Sequence, residues 1–352
     1  MLAWKDNWQE TQERFTNWWD RKGVIIGSWN PPVSDGPAHE KTSRPKSPPE
    51  GSTLYTLPEL RAEWNHYWLS RSAFPYEVLP IADTDLGPGS TCLFLGCTPR
   101  FSPATVWFDP CWHELEDVEE TPELVFDPAN PWWQLTEATL KASVKLARGK
   151  YLVGCPDLVE NVDVLSSLRD PQNLMVDLLE APEWVEGKIR QITDAWIEAY
   201  QRIYDIIKLE DGSSAFGAFR LWAPGKVAKL QCDASAMFSP GMYRRFVLPE
   251  LTRQCDWLDY SMYHLDGTQA ICHLDALLEI ESLDAIEWTP QSGIESGGNE
   301  RWYPMYRKIL EAGKSIQVVN VRPEEINPLL NAVGRNGVYI MQEYLDYSGP
   351  TL

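Results

Sequence analysis

The sequence predicts an α/β protein that folds as a single (β/α)8 TIM barrel over residues 1–352, with an N-terminal helical segment and a loop insertion. Three observations support this. From residue 135 onward, short apolar strands alternate with helical stretches, as is typical of a parallel sheet. About eight such strands can be counted, which favours a closed barrel over an open doubly wound sheet. Several strands end in a polar or acidic residue, as expected where strand ends surround one active-site mouth.

The N-terminal part of the chain predicts a helix at 7–20 and a short buried strand at 23–29. Residues 31–51 are rich in Pro, Ser, Lys and Gly, which indicates a long irregular loop or a lid. A helix at 57–72 and a strand at 77–83 follow. Residues 91–133 contain short strand-like pieces between Pro and acidic loops, which indicates an insertion over the barrel mouth.

The remaining elements follow a regular rhythm. A helix ends at 148, further helices are predicted at 160–181, 182–208, 240–258, 302–312 and 324–333, and another runs to 279. The strands between them are predicted at 151–157, 215–222, 227–233, 261–266, 283–289, 316–321 and 338–343.

Composition excludes several classes of partner. The chain has 352 residues, of which 43% are hydrophobic, so it can bury a sizeable core. Its formal charge of −20 repels phosphate backbones and anionic lipid, so nucleic acid and membrane surfaces are poor partners. No apolar run approaches the roughly 18 residues that span a bilayer, and the first residues do not resemble a signal peptide. We therefore expect a cytoplasmic protein; the sequence leaves its oligomeric state open.

Cysteine and tryptophan usage carries further information. The seven cysteines are scattered without a CxxC pair, so we expect reduced thiols. The 17 tryptophans outnumber the tyrosines and the phenylalanines, and most of them are expected in the core. Tryptophan faces also bind sugars and methylated ammonium groups. Four tryptophans are expected at strand ends or in loops: Trp29, Trp107, Trp222 and Trp288. At least one of these four is therefore expected to line a binding site.

The stretch from Ser261 to Gly267 is the centre of the predicted site. His264 and Asp266 are two residues apart, so on a strand they point to the same face. An imidazole beside a carboxylate can bind a metal, orient its neighbour or move a proton. Five strand-end residues are candidate catalytic groups: Asp157, Asp233, His264, Asp266 and Glu287. Six others are candidate substrate contacts: Trp29, Asp83, Trp107, Trp222, Tyr263 and Trp288.

Three segments resemble a known family. The sequences LQCDASAMFSPGMYRRFVLPEL (230–251), YHLDGTQAICHLDALLEIESLDAIEWTPQSG (263–293) and GKYLVGCPDLVENVDVLSSLRDPQNLMVDLLEAPEWV (149–185) are similar to the uroporphyrinogen decarboxylase superfamily, which includes cobalamin-dependent methyltransferases. The resemblance implies a TIM barrel. Residues 1–35 lack the arginine-rich motif of the true decarboxylases, so the chain looks closer to the methyltransferase branch.

The resemblance also implies a metal site. The methyltransferase branch has a His-x-Cys motif where this chain has His264-Leu265-Asp266, and a later Cys where no Cys follows Cys272. Histidine with carboxylates is the ligand set of many catalytic zinc centres. The implied ligands are His264, Asp266 and Glu343, the last near the place of the late Cys. Alternatively, His264 and Asp266 hydrogen-bond each other and anchor a loop.

Three functions remain open from the sequence. The first, implied by the resemblance, is methyl transfer between a small methylated compound and a separate corrinoid protein, with zinc at the His/Asp site. The second is a glycoside hydrolase-like or lyase-like activity that uses paired carboxylates and Trp platforms. The third is a non-catalytic small-molecule binder, because a barrel alone does not decide its chemistry.

Overall fold

The computed structural model describes residues 2–33, 42–46, 52–102 and 105–344, and shows a mostly parallel central sheet combined with helices. The strands are β1 (Val24–Asn30), β2 (Ile81–Ala82), β3 (Thr98–Phe101), β4 (Val106–Asp109), β5 (Leu152–Cys155), β6 (Ser214–Phe216), β7 (Leu221–Ala223), β8 (Val227–Gln231), β9 (Tyr260–Asp266), β10 (Ala285–Thr289), β11 (Ser315–Val318) and β12 (Val338–Tyr344).

Fourteen α-helices lie within the same ranges. They are α1 (Trp8–Trp19), α2 (Thr53–Thr56), α3 (Pro58–Leu69), α4 (Ser90–Phe94), α5 (Pro131–Ala147), α6 (Asn161–Arg169), α7 (Pro171–Glu180), α8 (Pro182–Ile207), α9 (Pro240–Phe246), α10 (Leu248–Trp257), α11 (Gly267–Ala270), α12 (Leu274–Leu278), α13 (Tyr303–Glu311) and α14 (Pro323–Val333). Many begin with proline, whose missing N–H costs nothing in the first turn.

The strands form two main sheets. One is entirely parallel, in the order β1-β12-β11-β10-β9-β8. The other has the order β2-β5-β6-β7, and only β7 runs antiparallel in it. Strands β3 and β4 form a separate antiparallel hairpin. Among the described strands no ladder joins the two main sheets, so the predicted closed barrel is not seen as one hydrogen-bonded ring.

Helix α1 connects the two sheets through its tryptophans. Trp18 donates its indole N–H to the Ile316 carbonyl in β11 at 3.2 Å. Trp19 donates to the Trp222 carbonyl in β7 at 2.9 Å. Phe15 packs edge-on against Tyr339 of β12. The amphipathic spacing that predicts this helix therefore places one aromatic face against both sheets.

Some predicted elements are divided in the structure. The strand expected at 215–222 is a hairpin, in which β6 and β7 flank a turn at Ala218–Arg220. The helix expected at 240–258 divides at Val247, where Pro249 in the first turn of α10 starts a new helix. The helix expected up to 279 consists of short pieces.

The two predicted insertions have different outcomes. The loop at 31–51 lies largely outside the described residues. Within 91–133, Val106 and Phe108 of β4 contact the turn at Gly87 and Gly89 that follows β2. The Gly89 N–H donates to the Asp157 carbonyl at 3.2 Å, just beyond β5. The hairpin therefore lies next to the carboxyl ends of β2 and β5; its place over a barrel mouth stays a prediction.

Two further expectations concern membranes and thiols. In the part of the chain that the structure describes, no helix has the length and apolar character required to cross a membrane. All seven cysteines are free thiols, as the sequence predicts, and five of them are buried.

Candidate functional site

A ladder of polar side chains crosses the parallel sheet. Strand register places Gln231 beside His264, His264 beside Glu287, Glu287 beside Gln317, and Gln317 beside Tyr339. Residues in register on parallel strands point to the same face. All five are buried or nearly so. This face of the sheet is therefore polar at a depth where a barrel core is normally filled by branched apolar residues.

Three potential metal ligands converge at one end of this ladder. Asp233 lies two residues beyond the end of β8, while His264 and Asp266 share one face of β9. Each of the three offers a ligand atom, and these atoms lie within 4.8 Å of one another. His264 and Asp266 are half-buried, whereas Asp233 is exposed. Of the candidate catalytic residues, the structure therefore brings Asp233, His264 and Asp266 together.

Glu287 orients the imidazole of His264. It is fully buried in β10 and forms a hydrogen bond with His264 Nδ1. Its other oxygen accepts from the Thr289 hydroxyl at 2.7 Å. Burial lowers the pKa of His264, but the Glu287 charge and hydrogen bond outweigh it, so the net pKa is raised. With Nδ1 held by Glu287, Nε2 is the nitrogen available to a ligand, the usual arrangement around a metal-binding histidine.

The carboxyl of Asp233 has an elevated proton affinity. Neighbouring atoms partly shield the carboxyl from solvent and Asp163 adds a second negative charge, and together these raise its pKa to about 6. His264 and Lys229 oppose the shift, and Asp266 adds to it. A carboxylate held close to two others is stabilised when a cation binds between them. The electrostatics of the cluster therefore favour a positive ion.

A second group of charges adjoins the cluster. Lys229, fully buried in β8, pairs with Asp157 at 2.8 Å. Arg220 pairs with Asp83 through both of its terminal nitrogens, at 2.8 and 3.4 Å. Burial, together with Asp83 and Asp157, raises the pKa of Asp85 to about 6. The predicted residues Asp83 and Asp157 are thus ion-paired, and neither is a free carboxylate.

The turn between β6 and β7 covers His264. The Phe219 ring lies 4.7 Å from the His264 ring and 5.5 Å from Trp29 of β1. Its carbonyl accepts from Gln317 Nε2 at 2.8 Å, and the Arg220 carbonyl accepts from the Tyr339 hydroxyl at 3.0 Å. Phe219 and Arg220 have φ of 57° and 50°, a left-handed conformation that is strained for such side chains. The polar ladder therefore holds a strained aromatic turn above the candidate ligands.

Three predicted substrate contacts are core residues instead. Tyr263 and Trp288 each adjoin a ladder residue in sequence, so the alternation of a strand turns them to the opposite, apolar face. Both are 1% exposed. Trp222 is 2% exposed and packs against Trp8 and Phe15. These side chains occupy the core rather than a surface open to substrate.

The other predicted tryptophans differ from one another. Trp29 is half-buried beside Phe219, which places it next to the candidate ligands. Trp107 lies on β4 and is 59% exposed. Trp29 is therefore linked to His264 through the Phe219 ring, whereas Trp107 is not part of these contacts.

Glu343 is not part of the ligand cluster. It is exposed near the end of β12 and is absent from the group formed by Asp233, His264 and Asp266. Strand order explains this, because β12 lies three strands from β9, about 14 Å at the usual strand spacing. Asp233 follows β8, the immediate neighbour of β9. The structure therefore brings Asp233, and not Glu343, together with His264 and Asp266.

Sequence reasoning missed several residues around the site. Lys229 and Gln231 are polar residues in the otherwise apolar strand VAKLQ, a signal that could have been recognised. Asp85 forms an Asp-x-Asp pair with Asp83, which is also visible in the sequence. Phe219 gave no signal, because its position depends on the turn between β6 and β7.

Comparison with known proteins supports the fold. No sequence profile of a protein family matches the chain. No curated protein sequence matches it either. Among solved structures, a methyltransferase from Methanosarcina mazei is similar, with a TM-score of 0.53 and 15% sequence identity over 85% of this chain and 83% of that one. At this identity the similarity shows a common α/β fold.

Proposed function

We propose that this protein is an enzyme that binds a divalent cation, most simply zinc, through Asp233, His264 and Asp266. The observation that carries the proposal is the convergence of these three ligand atoms within 4.8 Å, with Glu287 orienting the histidine. Three protein ligands with nitrogen and oxygen donors are typical of catalytic zinc, which keeps a further position for water or substrate. The excess of carboxylates around the cluster also favours a cation.

We further infer that the two sheets are parts of one (β/α)8 barrel in a single domain. Strands β6 and β7 contact β8. The Glu77 N–H donates to the Ile26 carbonyl at 3.1 Å, which links β1 to the segment before β2. In such a barrel the carboxyl ends of the strands form the active-site face. Asp233 and Asp266, which follow or end their strands, have the position expected of catalytic groups.

The reaction we propose is methyl transfer from a small methylated compound. The fold similarity to a methyltransferase supports this class. A cation without thiolate ligands is a strong Lewis acid, which stabilises negative charge on an oxygen or nitrogen that loses a methyl group. Phe219 and Trp29 would bind the apolar part of the substrate, since both adjoin His264. A corrinoid on a separate partner protein, implied by the family resemblance, would supply a cobalt centre that accepts the methyl group.

The experiment compares metal-loaded and chelator-treated protein. Methoxy and methylamine compounds are offered with reduced cobalamin, and the visible spectrum reports methyl transfer. We expect activity only with metal, and its loss in His264→Ala. The matched control is His113→Ala, which changes an exposed histidine outside the site and should retain activity.

Two other outcomes would decide for the alternatives. Hydrolysis of glycosides without methyl transfer would support a glycoside hydrolase-like enzyme. Metal-independent binding of a small molecule, with no turnover of any compound, would support a non-catalytic binder. Either result would contradict the proposed reaction.

A further inference from the structure

Asp233 is held by two residues that are not part of the ligand cluster. Gln231 Nε2 donates to Asp233 Oδ2 at 2.9 Å. The carboxylate of Asp163, in the first turn of α6, accepts the backbone N–H groups of Asp233 at 2.8 Å and of Ala234 at 2.9 Å. Both the side chain and the backbone of Asp233 are therefore fixed from the protein side.

The amide of Gln231 can satisfy its neighbours in one orientation only. Lys229 donates from its ammonium to Gln231 Oε1, while Gln231 Nε2 faces the carboxylates of Asp233 and Asp163, the latter at 3.2 Å. An ammonium group only donates and a carboxylate only accepts, so a flipped amide would oppose donor to donor and acceptor to acceptor. Lys229 is itself held by Asp157 at 2.8 Å.

A continuous chain thus runs from Asp157 through Lys229 and Gln231 to Asp233. Because Gln231 donates a hydrogen bond to Oδ2 of Asp233, Oδ1 is the freer oxygen for a metal ion at the candidate centre. Gln231 also stands in register with His264 on the neighbouring strand. Residues that orient metal ligands in this way set both the metal affinity and the geometry of the site.

We propose that Gln231 and Asp163 are positioning residues that present one oxygen of Asp233 to the cation. The inference rests on the proposed function, because it presumes that Asp233 binds a metal. It goes further by assigning a role to two residues outside the cluster. By the same reasoning Asp157, a predicted catalytic residue, acts at the far end of this chain and holds Lys229.

The test measures metal binding in Gln231→Met, which keeps the length of the side chain and removes the amide. We expect the affinity for zinc, measured by competition with a chromophoric chelator, to fall about 10- to 100-fold. With cobalt(II) in place of zinc, the visible absorption should shift, because the geometry of the ligands changes. Asp163→Asn, which weakens the acceptor for both backbone N–H groups, should change both readouts in the same direction.

The control is Gln342→Met, which removes another buried strand glutamine, on β12, and should keep the wild-type affinity and spectrum. If wild type binds zinc and both variants bind it equally tightly with an unchanged cobalt spectrum, the positioning role is wrong. If wild type binds no metal, the proposed function fails first, and this inference with it. Should Gln231→Met not fold, Asp163→Asn decides alone.

Discussion

Replacing Glu287 by Gln removes the negative charge behind His264 while preserving the size of the side chain. Glu287 is fully buried, and both its oxygens are used, by His264 Nδ1 and by the Thr289 hydroxyl. The amide of the variant retains one acceptor oxygen for these two donors. The imidazole of His264 is then oriented less firmly, and it is a weaker base because the neighbouring charge is gone.

The expected loss of metal affinity follows from what the hydrogen-bond partners of ligating histidines contribute in metal sites. Loss of the partner of a ligating histidine typically weakens metal affinity 10- to 100-fold, which corresponds to about 1.4 to 2.8 kcal/mol. The pKa of His264 should also fall in the metal-free protein, because the Glu287 charge is what raises it against the effect of burial. The change in metal affinity and the change in pKa have the same origin, so they should appear together.

The assay pairs zinc competition titration with NMR titration of the histidine ring in chelator-treated protein. The chain has five histidines, so the His264 signal is assigned by its absence in His264→Ala. Glu343→Gln serves as the matched control, because Glu343 is exposed and outside the cluster. Unchanged zinc affinity and an unchanged His264 pKa in Glu287→Gln would refute the orienting role of Glu287.

Three further predictions concern stability. Arg169 and Asp177 form a buried ion pair at 2.7 Å, so Arg169→Ala should lower the free energy of unfolding by about 3 to 5 kcal/mol in urea denaturation. Trp222→Ala should cost about 3 to 5 kcal/mol in the same assay, whereas Trp107→Ala at an exposed site should change it by less than about 0.5 kcal/mol. The pKa of Asp85 is about 6 in the folded protein, against the ordinary value of 3.8, so protonation of this carboxyl stabilises the folded state. This stabilisation is lost as the pH rises from the ordinary pKa to the raised one. Between pH 4 and pH 7, wild type should therefore lose up to about 3 kcal/mol of unfolding free energy relative to Asp85→Asn; equal pH profiles would contradict this.

Part of the site was accessible from the sequence because it depends on local geometry. The alternation of a strand places His264 and Asp266 on one face whatever surrounds them. The same rule turns Tyr263 away from that face, so strand alternation itself argues against Tyr263 as a substrate contact. Trp288 follows Glu287 and faces away for the same reason. Residue spacing along a single strand is thus the most dependable part of the sequence argument.

The rest of the candidate site depends on the order of the strands in the sheet, which residue spacing along the chain does not reveal. Asp233 joins the cluster because β8 neighbours β9, and Glu343 is excluded because two strands separate β12 from β9. The position of Phe219 over His264 requires a hairpin where the sequence predicts one continuous strand. A Cβ on Gly154 would come within 2.9 Å of the Gly217 backbone, so the close approach of this turn to β5 depends on glycine at position 154. Contacts of this kind are set by tertiary packing.

The metal content of the purified protein tests the central claim most directly. Wild type, equilibrated with zinc and freed of excess ion, should retain about one zinc per chain by elemental analysis, because three ligand atoms converge there. His264→Ala should retain none while keeping the circular dichroism spectrum of the folded protein, and Glu343→Gln should retain zinc as wild type does. Wild type without bound metal, or His264→Ala with undiminished zinc, would contradict a metal centre at Asp233, His264 and Asp266.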